Sequence, residues 1–212
     1  MSTALQIAIL LTYAPFLFEI FVVPIPGARS TERKIAGRKA ASASRSDPLW
    51  TATGVAGGIL LFVPPPVLVF LPERLLPELF RRPELPPGVH AAALVFLLTG
   101  HAVMLAAIFS LRPHLLRFEK TGKLQLKTDG IFGRCRHPIQ TGFLPVLAGI
   151  LLAVPAPVVL FGAALFVAFS HRRILQEEAF LTALFGEEYR AYCQRVGRYL
   201  PKICPCRHLR TQ

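Results

Sequence analysis

The chain has 212 residues, of which 53% are hydrophobic and only 17% charged, and its mean hydropathy is +0.49. A soluble domain of this size carries about a quarter charged residues, and here the apolar residues fall into long uninterrupted blocks, so an ordinary globular core is excluded. The net charge of +12 does not signal nucleic acid: all 24 Lys and Arg lie outside the apolar blocks, where headgroups and the positive-inside bias account for them.

In chain order, the first apolar block runs from Ala4 to Val23, close to the roughly 20 residues that span a hydrocarbon core. It lacks the basic n-region of a cleavable signal and is expected to stay as a span. A basic segment, 28–47, follows and is expected to lie near anionic headgroups. The second block, Leu49 to Leu71, holds Pro64-Pro65-Pro66, which should kink or break it. The third runs from Gly88 to Leu111. The fourth, Thr141 to Ser170, is 30 residues long, and Pro155-Ala156-Pro157 divides it into a hairpin of two helices, each short for a full crossing. The prediction is an all-α integral membrane protein with five transmembrane helices, the last two a Pro-broken hairpin, plus a C-terminal helix over about Ala168 to Arg195.

Loop charge sets the expected orientation. Lys plus Arg against Asp plus Glu is six to two over 24–48, three to three over 72–87, seven to two over 112–140, and eight to four from His171 onward. Basic, neutral, basic, basic puts the N-terminus outside and the C-terminus in the cytosol. Cys135, Cys193, Cys204 and Cys206 then face a reducing compartment, and no structural disulfide is expected.

Two polar residues interrupt the apolar blocks, Glu19 near a helix end and His101 in mid-span; both are functional candidates by default, although one interhelical His is commonly just hydrogen-bonded. Cys204-Pro-Cys206-Arg-His208 packs its ligand types too tightly for a tetrahedral metal site, and no metal is expected. Glu178, Glu187 and Glu188 are expected to be solvated helix-face charges, and Tyr189 and Tyr192 to pack the tail helix against the hairpin.

Four motifs follow one another in the last hundred residues. Leu124-Gln-Leu-Lys-Thr-Asp-Gly130-Ile-Phe132 ends in a Gly turn. Arg136-His137-Pro138-Ile139-Gln140-Thr141-Gly142 leads into the hairpin. Arg172-Arg173-Ile-Leu-Gln-Glu177-Glu178 leaves it. Leu184-Phe185-Gly186-Glu187-Glu188-Tyr189-Arg190-Ala191-Tyr192 comes last, with Val196-Gly-Arg198 and Pro201 behind it. Over about residues 117–203 this ordered set resembles the isoprenylcysteine carboxyl methyltransferase family, membrane methyltransferases related to the phospholipid N-methyltransferases. Phe132 and Gln140 stand where that family has Tyr: one keeps the ring without its hydroxyl, the other keeps hydrogen bonding without the ring.

The resemblance implies one membrane methyltransferase domain over 1–212, with three N-terminal transmembrane helices in 1–111 and the cofactor-binding and catalytic part in 112–212. It implies S-adenosylmethionine as methyl donor, contacted by Leu124, Gln125, Leu126, Lys127, Phe132, His137, Pro138, Ile139 and Gln140, with Arg117 in addition. Arg173 would face a lipophilic acceptor arriving from the bilayer, a prenylated cysteine or a lipid, and Glu177 would border cofactor or acceptor. The implied location is multi-pass, in the endoplasmic reticulum of a eukaryote or the inner membrane of a bacterium. A phospholipid amine, a small thiol, an NADPH-dependent reductase relationship and a non-enzymatic membrane role stand as alternatives.

The residues carry a physical logic of their own. A carboxylate attacking a sulfonium methyl needs no general base; it needs alignment and a cation to hold it, which Arg supplies in bidentate fashion. Arg173 and Glu177 are i,i+4 on one helix and should share a face.

Overall fold

The structure, a computed structural model, describes residues 47–68, 71, 76–81, 83, 85–121 and 125–202, with the side chains of 115–121 excepted. The expected Ala4–Val23 span with Glu19, most of the basic segment 28–47, and Cys204 to His208 lie outside the described residues. The described chain is helical: α1 Pro48–Phe62, α2 Pro64–Leu68, α3 Pro87–Thr121, α4 Pro138–Ala153, α5 Pro157–Phe185 and α6 Glu187–Arg195, with 3-10 turns at Glu78–Phe80 and Gly130–Gly133.

Proline begins α1 to α5, in the first-turn position where its missing N–H costs nothing and its fixed φ suits the helix. At α1 the Asp47 carboxylate also accepts from Leu49 N at 3.0 Å, a local cap. Further along, the three prolines break the helix as expected: Val63 closes α1 by donating to Ile59 O, and α2 restarts at Pro64.

Among the described residues, three stretches are long and apolar enough to cross a membrane: Pro48–Leu68, Pro87–His114 and Pro157–Phe185. The 16 residues of α4 make it about 24 Å long, short of a full crossing. The hairpin expected from Pro155 and Pro157 is present. Its second arm is not short, however, because α5 continues without a break for 29 residues.

Two further boundaries differ from the sequence reading. The third helix does not stop at Leu111; α3 runs 35 residues through Pro113 to Thr121. A proline inside a helix forfeits one ladder bond, but the turns on either side persist, and His114 Nε2 donates to the Gln125 carbonyl at 2.5 Å, tying the helix end to the segment beyond it. The tail is also not one helix. Gly186, at φ 54, takes a left-handed conformation that favours glycine and separates α5 from α6.

The helices pack as two antiparallel pairs, α1 on α5 and α3 on α4. Backbones touch where side chains are smallest: a Cβ on Gly100 would sit 2.6 Å from the Gly142 carbonyl oxygen, and one on Gly57 would sit 2.8 Å from Phe166 N. Small residues allow this approach, which is how apolar helices gain packing where lipid removes the usual hydrophobic drive. Phe62, Phe143 and Phe166 join the two pairs, with ring centroids 5.1–6.1 Å apart. His101 is buried and its Nδ1 donates to the Leu97 carbonyl at 2.7 Å, the hydrogen-bonded role expected of a single intramembrane His.

The pairing collects chain ends. The start of α1, the end of α3, the start of α4 and the outgoing part of α5 all lie at one end of the bundle, opposite the Pro155 turn. There Arg172 stacks on Trp50, with its guanidinium carbon 4.5 Å from the ring centroid. A cation–π pair of these residue types suits a membrane boundary.

Candidate functional site

At this end of the bundle the tail returns to the Arg136-His137 loop. Gly130, at φ 60, turns the chain into the Gly130–Gly133 turn, which buries Phe132. Residues 135–137 then run parallel to 197–199. Arg136 N donates to Gly197 O at 2.9 Å and His137 N to Arg198 O at 3.1 Å. The Thr141 hydroxyl donates to Tyr199 O at 2.7 Å.

Behind this seam, Tyr189, Tyr192 and Val196 form a small core with Leu126, Leu181, Phe185 and Cys193. The tyrosines thus pack against α5, as expected, and equally against the 125–135 loop. The Tyr192 hydroxyl donates to the Phe132 carbonyl at 2.6 Å, and burial pushes its pKa up to about 12. Burial also pushes the Cys135 thiol up.

The polar centre is Glu178. Its side chain is only 13% exposed, so it is not the solvated charge expected from the sequence. Its Oε1 receives Arg136 Nη2 at 3.1 Å, Arg198 Nε at 3.0 Å and His137 Nε2 at 3.3 Å; its Oε2 receives Arg198 Nη2 at 2.6 Å. Arg136 Nη1 also contacts the Cys193 sulfur. One partly buried carboxylate therefore ties the loop before α4 to the tail after α6. The same carboxylate holds the Arg198 guanidinium above its ordinary pKa.

Arg173 and Glu177 lie on the neighbouring stripe of α5, and both are exposed. They share a face as the i,i+4 spacing requires, yet among the described residues no ion pair joins them. Glu177 is 60% exposed, and its Oε2 stands 3.9 Å from His137 Nδ1. The buried His137 ring, 8% exposed, is thus flanked by two acids: a partly buried one at Nε2 and an open one at Nδ1.

The remaining predicted contacts divide. Pro138 is buried as the first residue of α4, and Ile139 packs on the helix core. Gln140 is half-buried. Gln125 is exposed and its carbonyl is taken by His114. Lys127 pairs with Asp129 at 2.9 Å. Leu126 belongs to the tyrosine core. Leu124 lies outside the described residues, and Arg117 sits on α3 instead of in a loop. Sequence reasoning missed Glu178 and Arg198 as partners; the Val-Gly-Arg198 motif was visible, but its target was not.

No protein-family model matches the chain. Curated relatives do. A "Probable protein-S-isoprenylcysteine O-methyltransferase" of Oryza sativa subsp. indica is 33% identical over 120 residues, 54% of this chain and 62% of that protein. The protein-S-isoprenylcysteine O-methyltransferase of Schizosaccharomyces pombe is 35% identical over 92 residues, 42% of this chain and 39% of that protein. The Rattus norvegicus enzyme of the same name is 31% identical over 118 residues, 53% of this chain and 41% of that protein. These relatives carry the name of the family that the four motifs resemble. The chain spans 62% of the rice relative's length and less of the others.

Proposed function

We propose that this chain is a multi-pass membrane methyltransferase that uses S-adenosylmethionine and methylates the carboxylate of a prenylated cysteine or a similar lipophilic acceptor. The observation that carries the reading is that one face of α5 holds both an exposed Arg173 and an exposed Glu177, the latter beside the buried His137, in a chain similar to enzymes named for this reaction. Five spans, with the Arg136 loop, the end of α5 and the tail in the cytosol, are the topology that the loop charges favour. The membrane would be the endoplasmic reticulum of a eukaryote or the inner membrane of a bacterium.

The side chains present suit the donor. S-adenosylmethionine, when bound, supplies an electrophilic methyl group on a cationic sulfur. Glu177 offers an accessible carboxylate with no arginine partner among the described residues, which favours a cation. Gln125, Lys127 and Gln140 supply amides and an ammonium for the polar ends of such a ligand, and the 125–132 segment is backed by the Leu126 and tyrosine core. Leu124, Phe132, Pro138 and Ile139 complete the proposed contact set, with Arg117 beyond them.

Arg173 would bind and orient the acceptor carboxylate. No proton need be removed, so the chain's contribution is alignment and exclusion of water. The acceptor would enter between helices from the bilayer, since an isoprenyl group partitions there.

The test is S-adenosylmethionine binding to the purified protein in lipid nanodiscs, followed by incubation with a farnesylcysteine analogue or phosphatidylethanolamine. A base-labile methyl ester on the analogue is the expected product. A base-stable methylamine on the phospholipid would move the acceptor class, and absence of donor binding by folded protein would end the enzyme reading.

A further inference from the structure

Glu177 and Glu178 are adjacent and chemically identical, yet their hydrogen-bonding states differ. A carboxylate offers about four lone-pair sites. Glu178 receives four contacts: Arg136 Nη2, His137 Nε2, Arg198 Nε and Arg198 Nη2. Its Oε1 is fully taken and its Oε2 holds the fourth contact, so most of its acceptor capacity is spent within the protein. Among the described residues, Glu177 has the 3.9 Å approach of His137 Nδ1 and is 60% exposed.

We propose that Glu178 is a positioning residue: it clamps the Arg198 tail onto the Arg136-His137 loop and holds the His137 ring with Nε2–H toward itself, so that Nδ1 faces the Glu177 side as an acceptor. The inference rests on the proposed methyltransferase reading for its kinetic consequence, but not for its structural one. Nε2 lies 3.3 Å from Glu178 and Nδ1 lies 3.9 Å from Glu177. The Glu178 carboxylate is within hydrogen-bond reach of the ring and the Glu177 carboxylate is not, so Nε2 is the ring nitrogen held as a donor. A carboxylate that selects a histidine tautomer in this way also selects what the opposite nitrogen can bind. An Nδ1 lone pair beside an open carboxylate is a site for a donor-bearing cation and a poor one for an anion.

The geometry makes the tail part of the site. The Arg198 carbonyl accepts from His137 N while its guanidinium grips Glu178, so residue 198 holds the histidine from both backbone and side chain. Segment 196–199 would thereby act on ligand binding without touching ligand.

Three measurements test this on the full chain in nanodiscs. The first reads the wild-type protein: nitrogen-15 spectra of histidine-labelled protein, with His137 assigned by its loss in His137→Gln, should show the Nε2–H tautomer. An Nδ1–H tautomer overturns the proposal. The second compares Glu178→Gln with Glu177→Gln. The first substitution should disturb the His137 signals and speed tryptic cleavage at Arg198 and Lys202; the second should leave both unchanged. The reverse pattern overturns the clamp.

The third measurement is kinetic. Glu178→Gln should lower kcat about a hundredfold, the order expected from misplacing a reacting group, with Glu178→Asp recovering part of it. Glu177→Gln should instead act mainly on donor affinity. Where Glu178→Gln does not fold, Arg198→Gln removes one arm of the clamp and carries the same expectations. If wild-type protein neither binds donor nor transfers methyl, the functional reading fails while the spectra and proteolysis still decide the clamp. An unchanged His137 spectrum and kcat in folded Glu178→Gln overturn it.

Discussion

Arg198 grips Glu178 through two contacts, Nη2 to Oε2 at 2.6 Å and Nε to Oε1 at 3.0 Å, across 20 residues of chain and the break at Gly186. The fork matches the carboxylate as a planar guanidinium can and an ammonium cannot. Arg198→Met should therefore destabilise the protein by about 2 kcal/mol, below the 3–5 kcal/mol for breaking a fully buried pair, since Arg198 is about a third exposed. Arg198→Lys should fall between. Thermal unfolding in nanodiscs, followed by circular dichroism, checks the order.

The α3–α4 contact should be sensitive to added volume. A methyl on Gly100 would meet the Gly142 carbonyl at 2.6 Å and the Val146 side chain at 2.6 Å, so Gly100→Ala should cost about 2 kcal/mol by overpacking. At Gly88, in the first turn of the same helix, an added Cβ would meet nothing within 4 Å, and Gly88→Ala should be neutral or slightly stabilising. Resistance to unfolding in SDS distinguishes the two.

Stability should fall in alkali. Tyr192 moves from an ordinary pKa of 10.0 to about 12 on folding, chiefly through burial. Between those values the unfolded chain has lost the phenolic proton and the folded chain has kept it. Raising the pH through that window therefore favours unfolding, by about 2 kcal/mol at its upper end. Tyr192→Phe should remove this contribution to the alkaline loss, at a cost of about 1 kcal/mol near neutrality for the unpaired Phe132 carbonyl. Unfolding profiles at pH 8 to 12 would show both effects.

Arg173→Ala should leave thermal stability within about 0.5 kcal/mol, as for other exposed positions. On the proposed function it should reduce transfer to a farnesylcysteine analogue about a hundredfold, the scale of losing one partner of a charge pair, while donor affinity holds. An equal loss of donor binding would reassign Arg173 to the cofactor.

Cys135 should resist maleimide labelling at pH 7 in folded protein, because it is buried and burial holds its thiol above the usual pKa. Mass spectrometry before and after denaturation reads this directly.

Much of the architecture was legible along the chain. Hydrophobic run length and proline are local signals, so the helices starting at Pro48, Pro87 and Pro157 and the hairpin turn at Pro155 could be read from them directly. The Arg136-His137-Pro138 and Arg173 to Glu178 motifs were visible for the same reason, and their order carried the family resemblance. Helix ends were less legible: α3 passes Pro113 and the tail helix breaks at Gly186, because neighbouring packing and tertiary hydrogen bonds, not composition, decide where a helix stops.

What only the tertiary structure decided is which of two adjacent acids turns inward. Successive helix residues differ by about 100° around the axis, so Arg173 with Glu177 and Ile174 with Glu178 form neighbouring stripes of equal standing in the sequence. The tail breaks the tie. With Arg198 laid along the Arg136-His137 loop, a partly buried carboxylate is needed where three basic side chains converge, and Glu178, on the same stripe as the buried Ile174, is the one that faces them. Contacts separated by 20 to 60 positions leave no periodic trace in a sequence; they exist only once the chain has folded back.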